Sequence, residues 1–132
     1  MTTDEWDQLL WFTPYENWGE PEKMSFELLV KLDTFRDHID HKVIVHCGYA
    51  TDGHFGNSMH YVGQAVDIHV VGISLVEAWL ECERFDFGGI GLYPNWENPG
   101  LHLDVRYARP GARWIYTDKF KELNVSNLEG LL

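Results

Sequence analysis

Between Met24 and Ile39 the apolar residues Leu28, Leu29, Leu32, Phe35 and Ile39 recur at the spacing that lays one greasy stripe along a helix. Ser25 stands where such a helix needs an N-cap. The pattern then turns β-branched, and Lys42–Cys47 (KVIVHC) predicts a short strand. Residues 48–58 hold three glycines and read as a loop, and Ala65–Val71 (AVDIHVV) predicts a second strand. Ser74 caps a second helix carrying Leu75, Val76, Trp79, Leu80 and either Cys82 or Glu83. Phe87–Tyr93 (FGGIGLY) reads as a glycine-rich strand, Pro94–Gly100 as a turn, and Leu101–Val105 (LHLDV) as a further strand. Arg109-Pro110-Gly111 turns the chain into a last strand near Trp114-Ile115-Tyr116. Upstream, Asp4–Phe12 predicts a short amphipathic helix and Pro14–Lys23 a loop, while the tail from Asp118 is either a short helix or a loose end. Helices before and between closely connected strands predict an α+β fold. Its sheet is small, mixed or antiparallel, with helices packed on one face.

Composition adds limits to this picture. A chain of 132 residues is expected to form one domain, 1–132, with a core that needs no disulfide. Its six Trp are expected to build that core more than a sugar-binding platform. Cys47 and Cys82 show no CxxC spacing and read as buried free thiols, with a disulfide left open. The formal net charge of −11 argues against nucleic acid and against anionic membranes as partners. A monomer is expected. The start, Met1 to Trp6, has neither a basic n-region nor an apolar h-region, so no signal peptide is expected. A target outside the cytoplasm would then be reached by a non-classical or phage-type route.

The chemistry concentrates in two short stretches. In Ser58–Asp67 (SMHYVGQAVD), His60 ends a loop and Gly63 permits a tight turn. Asp67 is the third residue of its strand and shares a face with Ala65 and His69, so Val66 and Ile68 point to the core. A carboxylate in mid-strand needs a partner, and a cation is one. In Leu101–Val105, His102 and Asp104 share one face and Leu101, Leu103 and Val105 the other. If the two strands are neighbours, Asp67, His102 and Asp104 converge, with His60 closing over them. Two imidazoles and one carboxylate leave a fourth position for water, and a divalent zinc ion so held keeps a net positive charge. The lack of thiolate ligands favours a catalytic over a structural ion. Spacing alone leaves a metal site and ordinary polar pairs equally open.

SMHYVGQAVD resembles the SxHxxGxAxD signature of the M15 zinc peptidases, the D-Ala-D-Ala carboxypeptidase and endolysin group, whose fold the hedgehog signalling domain shares. All five fixed positions are present, namely Ser58, His60, Gly63, Ala65 and Asp67. GGIGLYP followed by LHLDVR resembles the later half of the same group, and the likeness runs from about Met24 to Trp114. It implies one Zn²⁺ on His60, Asp67 and His102, hydrolysis of amide bonds in peptidoglycan peptides rich in D-amino acids, and a role for Ser58 in binding substrate or bracing its loop.

The chain departs from the group at two places. Many members carry an arginine after the Gly-Tyr of the upstream loop to grip a terminal carboxylate, where Ala50 stands here; this leans away from carboxypeptidase action, towards an endopeptidase or cleavage of a different amide. Many also carry the catalytic acid three residues before the last zinc histidine, where Pro99 stands here. Glu97 or Asp104 is left as the base, Asp104 alternatively as an anchor for His102. Tyr61 and Tyr93 are candidates to bind substrate or its oxyanion, and His69 to line the cleft. Tyr49 is the weaker oxyanion donor; His54 reads as a solvent-exposed loop residue, with contact to substrate or a lid as its alternative, and His46, His38 and His41 read as structural. The alternative function is a zinc-binding domain of the same fold without catalysis. A weaker one is an acidic interaction module without metal.

Overall fold

A computed structural model describes residues 1–123. The order is α1 (Thr3–Asp7), α2 (Phe26–Ile39), β1 (Val43–Cys47), β2 (Ala65–Val70), α3 (Leu75–Cys82), β3 (Gly89–Tyr93), β4 (Gly100–Asp104), β5 (Ala112–Tyr116) and β6 (Phe120–Glu122). The strands form one mixed sheet in the order β1-β2-β4-β3-β5-β6, antiparallel throughout except for the parallel pair β3–β5. This is the α+β architecture expected.

Local chemistry explains the elements. Ser25 caps α2 by accepting from the Leu28 amide at 3.3 Å, and Ser74 caps α3 by accepting from that of Glu77 at 3.1 Å. Leu28, Leu29, Leu32 and Phe35 of α2 are fully buried. They meet the apolar sheet face made by Val43, Val45, Val66, Ile68, Ile90, Leu92, Leu101, Leu103 and Ile115. Trp6 and Trp18 complete this core at one end, their rings 5.5 Å apart.

Two expectations need correction. The first helix stops at Asp7 rather than Phe12, because the buried Asp33 carboxylate of α2 takes the Leu10 and Trp11 amides at 3.0 and 2.8 Å. Those amides then have no helical carbonyl to serve. The tail beyond Asp118 begins as a strand, β6, pairing antiparallel with β5, while the rest of that tail, from 124 on, lies outside the described residues. No described helix is long and apolar enough to cross a membrane.

Candidate metal centre and cleft

The sheet face away from the helices carries the chemistry, and the register fixes its layout. Asp67 lies directly opposite both Cys47 and His102, His102 opposite Gly91, and Gly91 opposite Trp114. One row across five strands therefore reads Cys47, Asp67, His102, Gly91, Trp114. The glycine in that row is needed for space. A Cβ at Gly91 would collide with the Trp114 indole, and one at Gly89 would come within 2.5 Å of the Asp104 carboxylate. Two residues apart on β3, these glycines leave room for Trp114 to lie over the strand and for Asp104 to reach Arg106.

His60 arrives from outside the sheet, on a 3₁₀ turn over Met59–Val62. Ser58 caps that turn, its Oγ accepting from the His60 amide at 3.2 Å, and Gly63 ends it at φ +71°. A Cβ at Gly63 would strike the Lys23 carbonyl, so the turn packs tightly against the residues that lead into α2.

These elements bring His60 Nε2 to 3.1 Å and His102 Nδ1 to 3.3 Å from Asp67 Oδ1. All three residues are buried, and their ligand atoms lie within 4.8 Å of one another. Donors on a tetrahedral zinc ion, each roughly 2.0–2.1 Å from it, stand about 3.3–3.4 Å apart, so the donor set fits the ion in type and closely in spacing. The remaining ring nitrogens are also held. His60 Nδ1 donates to the Gly48 carbonyl at 2.7 Å, and His102 Nε2 to Asp104 Oδ2 at 2.7 Å. Asp104, with no exposed surface, is gripped in turn by Arg106 through Nε and Nη2. Asp104 thus sits behind the His102 ring, on the side away from Asp67. That is the anchor position, and it gives the carboxylate no open edge on the cleft.

Electrostatics follow this geometry in the metal-free chain. Burial alone would lower His60, but its bonds to Asp67, Cys47 and the Gly48 carbonyl outweigh it and push the imidazole up to about 10. His102 is likewise raised against burial by Asp104 and Asp67. Both carboxylates are held below their usual range, since the histidine bonds, aided at Asp104 by Arg106, overcome burial.

The three donors form the floor of an open cleft of about 1040 Å³. Ser58, Tyr93 and Glu97 line it, with Glu97 exposed on the β3–β4 connection. Tyr93 stacks on Trp96 at 4.4 Å and its hydroxyl accepts from Trp114 Nε1 at 3.1 Å. Tyr61 and His69 are not among the described residues lining the cleft. The Tyr61 hydroxyl donates to the His54 carbonyl at 2.7 Å and accepts from the His54 amide at 2.9 Å, which occupies it in bracing the loop. His69 stacks on His46 at 4.8 Å, its Nδ1 2.5 Å from His46 Nε2.

Several residues at the cleft escaped the sequence reading. His54, read as a loop residue, stacks on His60 at 4.1 Å. Cys47 is half-buried beside both histidines, whereas Cys82 is buried with its thiol pushed up by that burial, and both are free. Cys47, His54 and His60 also bring ligand atoms within 4.8 Å of one another, a second candidate donor group that shares His60 with the first but, unlike it, is only partly buried. Trp96 and Trp114 line the cleft, not the core, and Arg106 and Arg109 line it with them. The alternating Gly89 and Gly91 were the available signal for Trp114, since their period of two leaves a trough on the His102 face.

The model of the family described as peptidoglycan L,D-endopeptidase MepK, an M15 peptidase family, matches residues 20–111. No curated protein matches the chain. The matched span includes α2, the 3₁₀ turn and β1 to β4, hence all three metal-site donors and Asp104. On that match over more than half its length, the chain belongs to the M15 peptidase family.

Proposed function

We propose that this protein is a zinc-dependent endopeptidase that hydrolyses amide bonds in peptidoglycan stem peptides. The observation that carries the reading is the convergence of His60 Nε2, Asp67 Oδ1 and His102 Nδ1 at the floor of an open cleft, each imidazole with its second nitrogen already held. Bound there, zinc would supply a Lewis acid and bring the pKa of a coordinated water to about 7.

The chain's own residues then divide the remaining work. Glu97 is the proton carrier: its carboxylate is exposed at the cleft edge and free to approach a bound peptide. Asp104 is a positioning residue that fixes the His102 tautomer. Burial keeps the Tyr93 phenol protonated, and because its oxygen accepts from Trp114 its O–H is left to donate a hydrogen bond to the substrate carbonyl. Ser58 holds the His60 turn. The openness of the cleft and its lining from three separate segments, 53–60, 93–98 and 106–116, favour a through-running peptide over a chain end.

Digestion of purified peptidoglycan followed by mass spectrometry of the muropeptides tests this. New amino termini that vanish with chelator and with His60→Ala are expected. Stoichiometric zinc without turnover on any wall peptide would instead make this a metal-binding domain without catalysis, and a chain that takes up no zinc would end both readings.

A further inference from the structure

The cleft differs in charge from the molecule around it. The chain carries a formal −11, yet two arginines stand on one cleft wall. Arg106 uses Nε and Nη2 on Asp104 and lies 5.0 Å over the Trp114 ring, and Nη1 takes no part in that pairing. Arg109 is exposed and makes no hydrogen bond or ion pair among the described residues, although acidic side chains abound elsewhere. Its backbone is left-handed, at φ +53°. An L-residue with a side chain is strained there, and strain of this kind collects at ligand clamps. The following Gly111, at φ +86°, pins the turn through its amide to the Gly88 carbonyl at 2.8 Å. Beside the arginines runs an aromatic wall. Tyr116 stacks on Tyr93 at 5.8 Å, and the exposed Phe55 meets Phe120 edge-on at 4.9 Å. A flat apolar wall ending in an unpaired cation suits a peptide that carries aliphatic stretches and free carboxylates.

We propose that Arg109, with the free edge of Arg106, receives a side carboxylate of the bound peptide, so that the cleft selects stem peptides with free carboxylates over their amidated forms. This rests on the peptidase reading for its ligand, but binding tests it independently of turnover. The probes are L-Ala-γ-D-Glu-meso-diaminopimelate and the same tripeptide with its carboxylates amidated, titrated calorimetrically into the full chain with zinc and again after chelation. The free acid should bind about fivefold more tightly than the amide in both conditions, as expected for one partly exposed charged pair. Arg109→Gln should bring the two peptides level, and Arg109→Lys should keep part of the preference. Equal binding by the unaltered chain, a preference lost on chelation, a preference surviving Arg109→Gln, or no binding of either peptide would overturn the proposal. Selective binding without hydrolysis of wall peptides would leave it standing and sink the peptidase reading. Hydrolysis without selectivity would do the reverse.

Discussion

Two carboxylates compete for one role, and their surroundings separate them. Asp104 is enclosed by His102 and Arg106, whereas Glu97 is open to the cleft. Asp104→Asn should therefore weaken zinc binding by about 10–100-fold while leaving kcat at saturating zinc within a few-fold. Glu97→Gln should leave zinc affinity unchanged and lower kcat by about 10²-fold or more. Zinc competition against a chromogenic chelator, run beside steady-state kinetics, distinguishes the two, and the opposite assignment would make Asp104 the base. His60, Asp67 and His102 were legible because strand alternation sorts side chains by face and the motif spacing fixes the turn before β2. The side of the imidazole on which Asp104 would lie was not legible, because alternation gives the face and not the rotamer. The orientation of Tyr61 was hidden for a related reason: its phenol turns back to its own loop at His54, a choice set by the path of residues 53–57.

At the scale of elements, the stop of α1 depends on one side chain. Asp33→Ala would leave the Leu10 and Trp11 amides without their charged acceptor and should cost about 2 kcal/mol of stability, read as a shift in denaturant midpoint with unchanged slope. Gly91→Ala should lift Trp114 from its strand and disturb the cleft wall. It should cost roughly 1–3 kcal/mol and shift the tryptophan fluorescence, with the far-ultraviolet dichroism kept. The helices and central strands were readable from caps and periodicity, with ends moving by a residue or two. β6 was not, because Phe120–Glu122 has too few residues to show a period and is a strand only through its pairing with β5. The early end of α1 was hidden too, since the competing acceptor lies 22 residues further on.

For the whole molecule, proton and metal contend for the same nitrogens. His60 is raised from its ordinary 6.5 to about 10 in the metal-free fold. Its ion pair thus stabilises fully below 6.5, and that contribution fades as pH climbs through 10. Asp67 and Asp104 are depressed, so theirs is present above the ordinary 3.8 and is lost as pH falls further below it. Metal-free stability should accordingly peak between these limits, as a series of melting curves would show. On the proposed reading, zinc would displace the His60 proton, so loading should release protons and binding should tighten as pH rises. With free zinc a hundredfold above its Kd, stability should increase by about 2.7 kcal/mol, and chelator should reverse the gain in melting temperature.

Two of the three donors, Asp67 and His102, sit on a strand pair that is distant in sequence. β4 enters between β2 and β3, although α3 and β3 are made before it. A metal ion held by Asp67 and His102 would therefore be bound only once β4 has been made and threaded into the middle of the sheet. On the zinc reading, a seated ion would act as a rivet through the centre of the sheet. Amide exchange along Asp67 and His102 should slow more on zinc loading than exchange at the outer strands, leaving β1 and β6 as the places where the fold first comes apart.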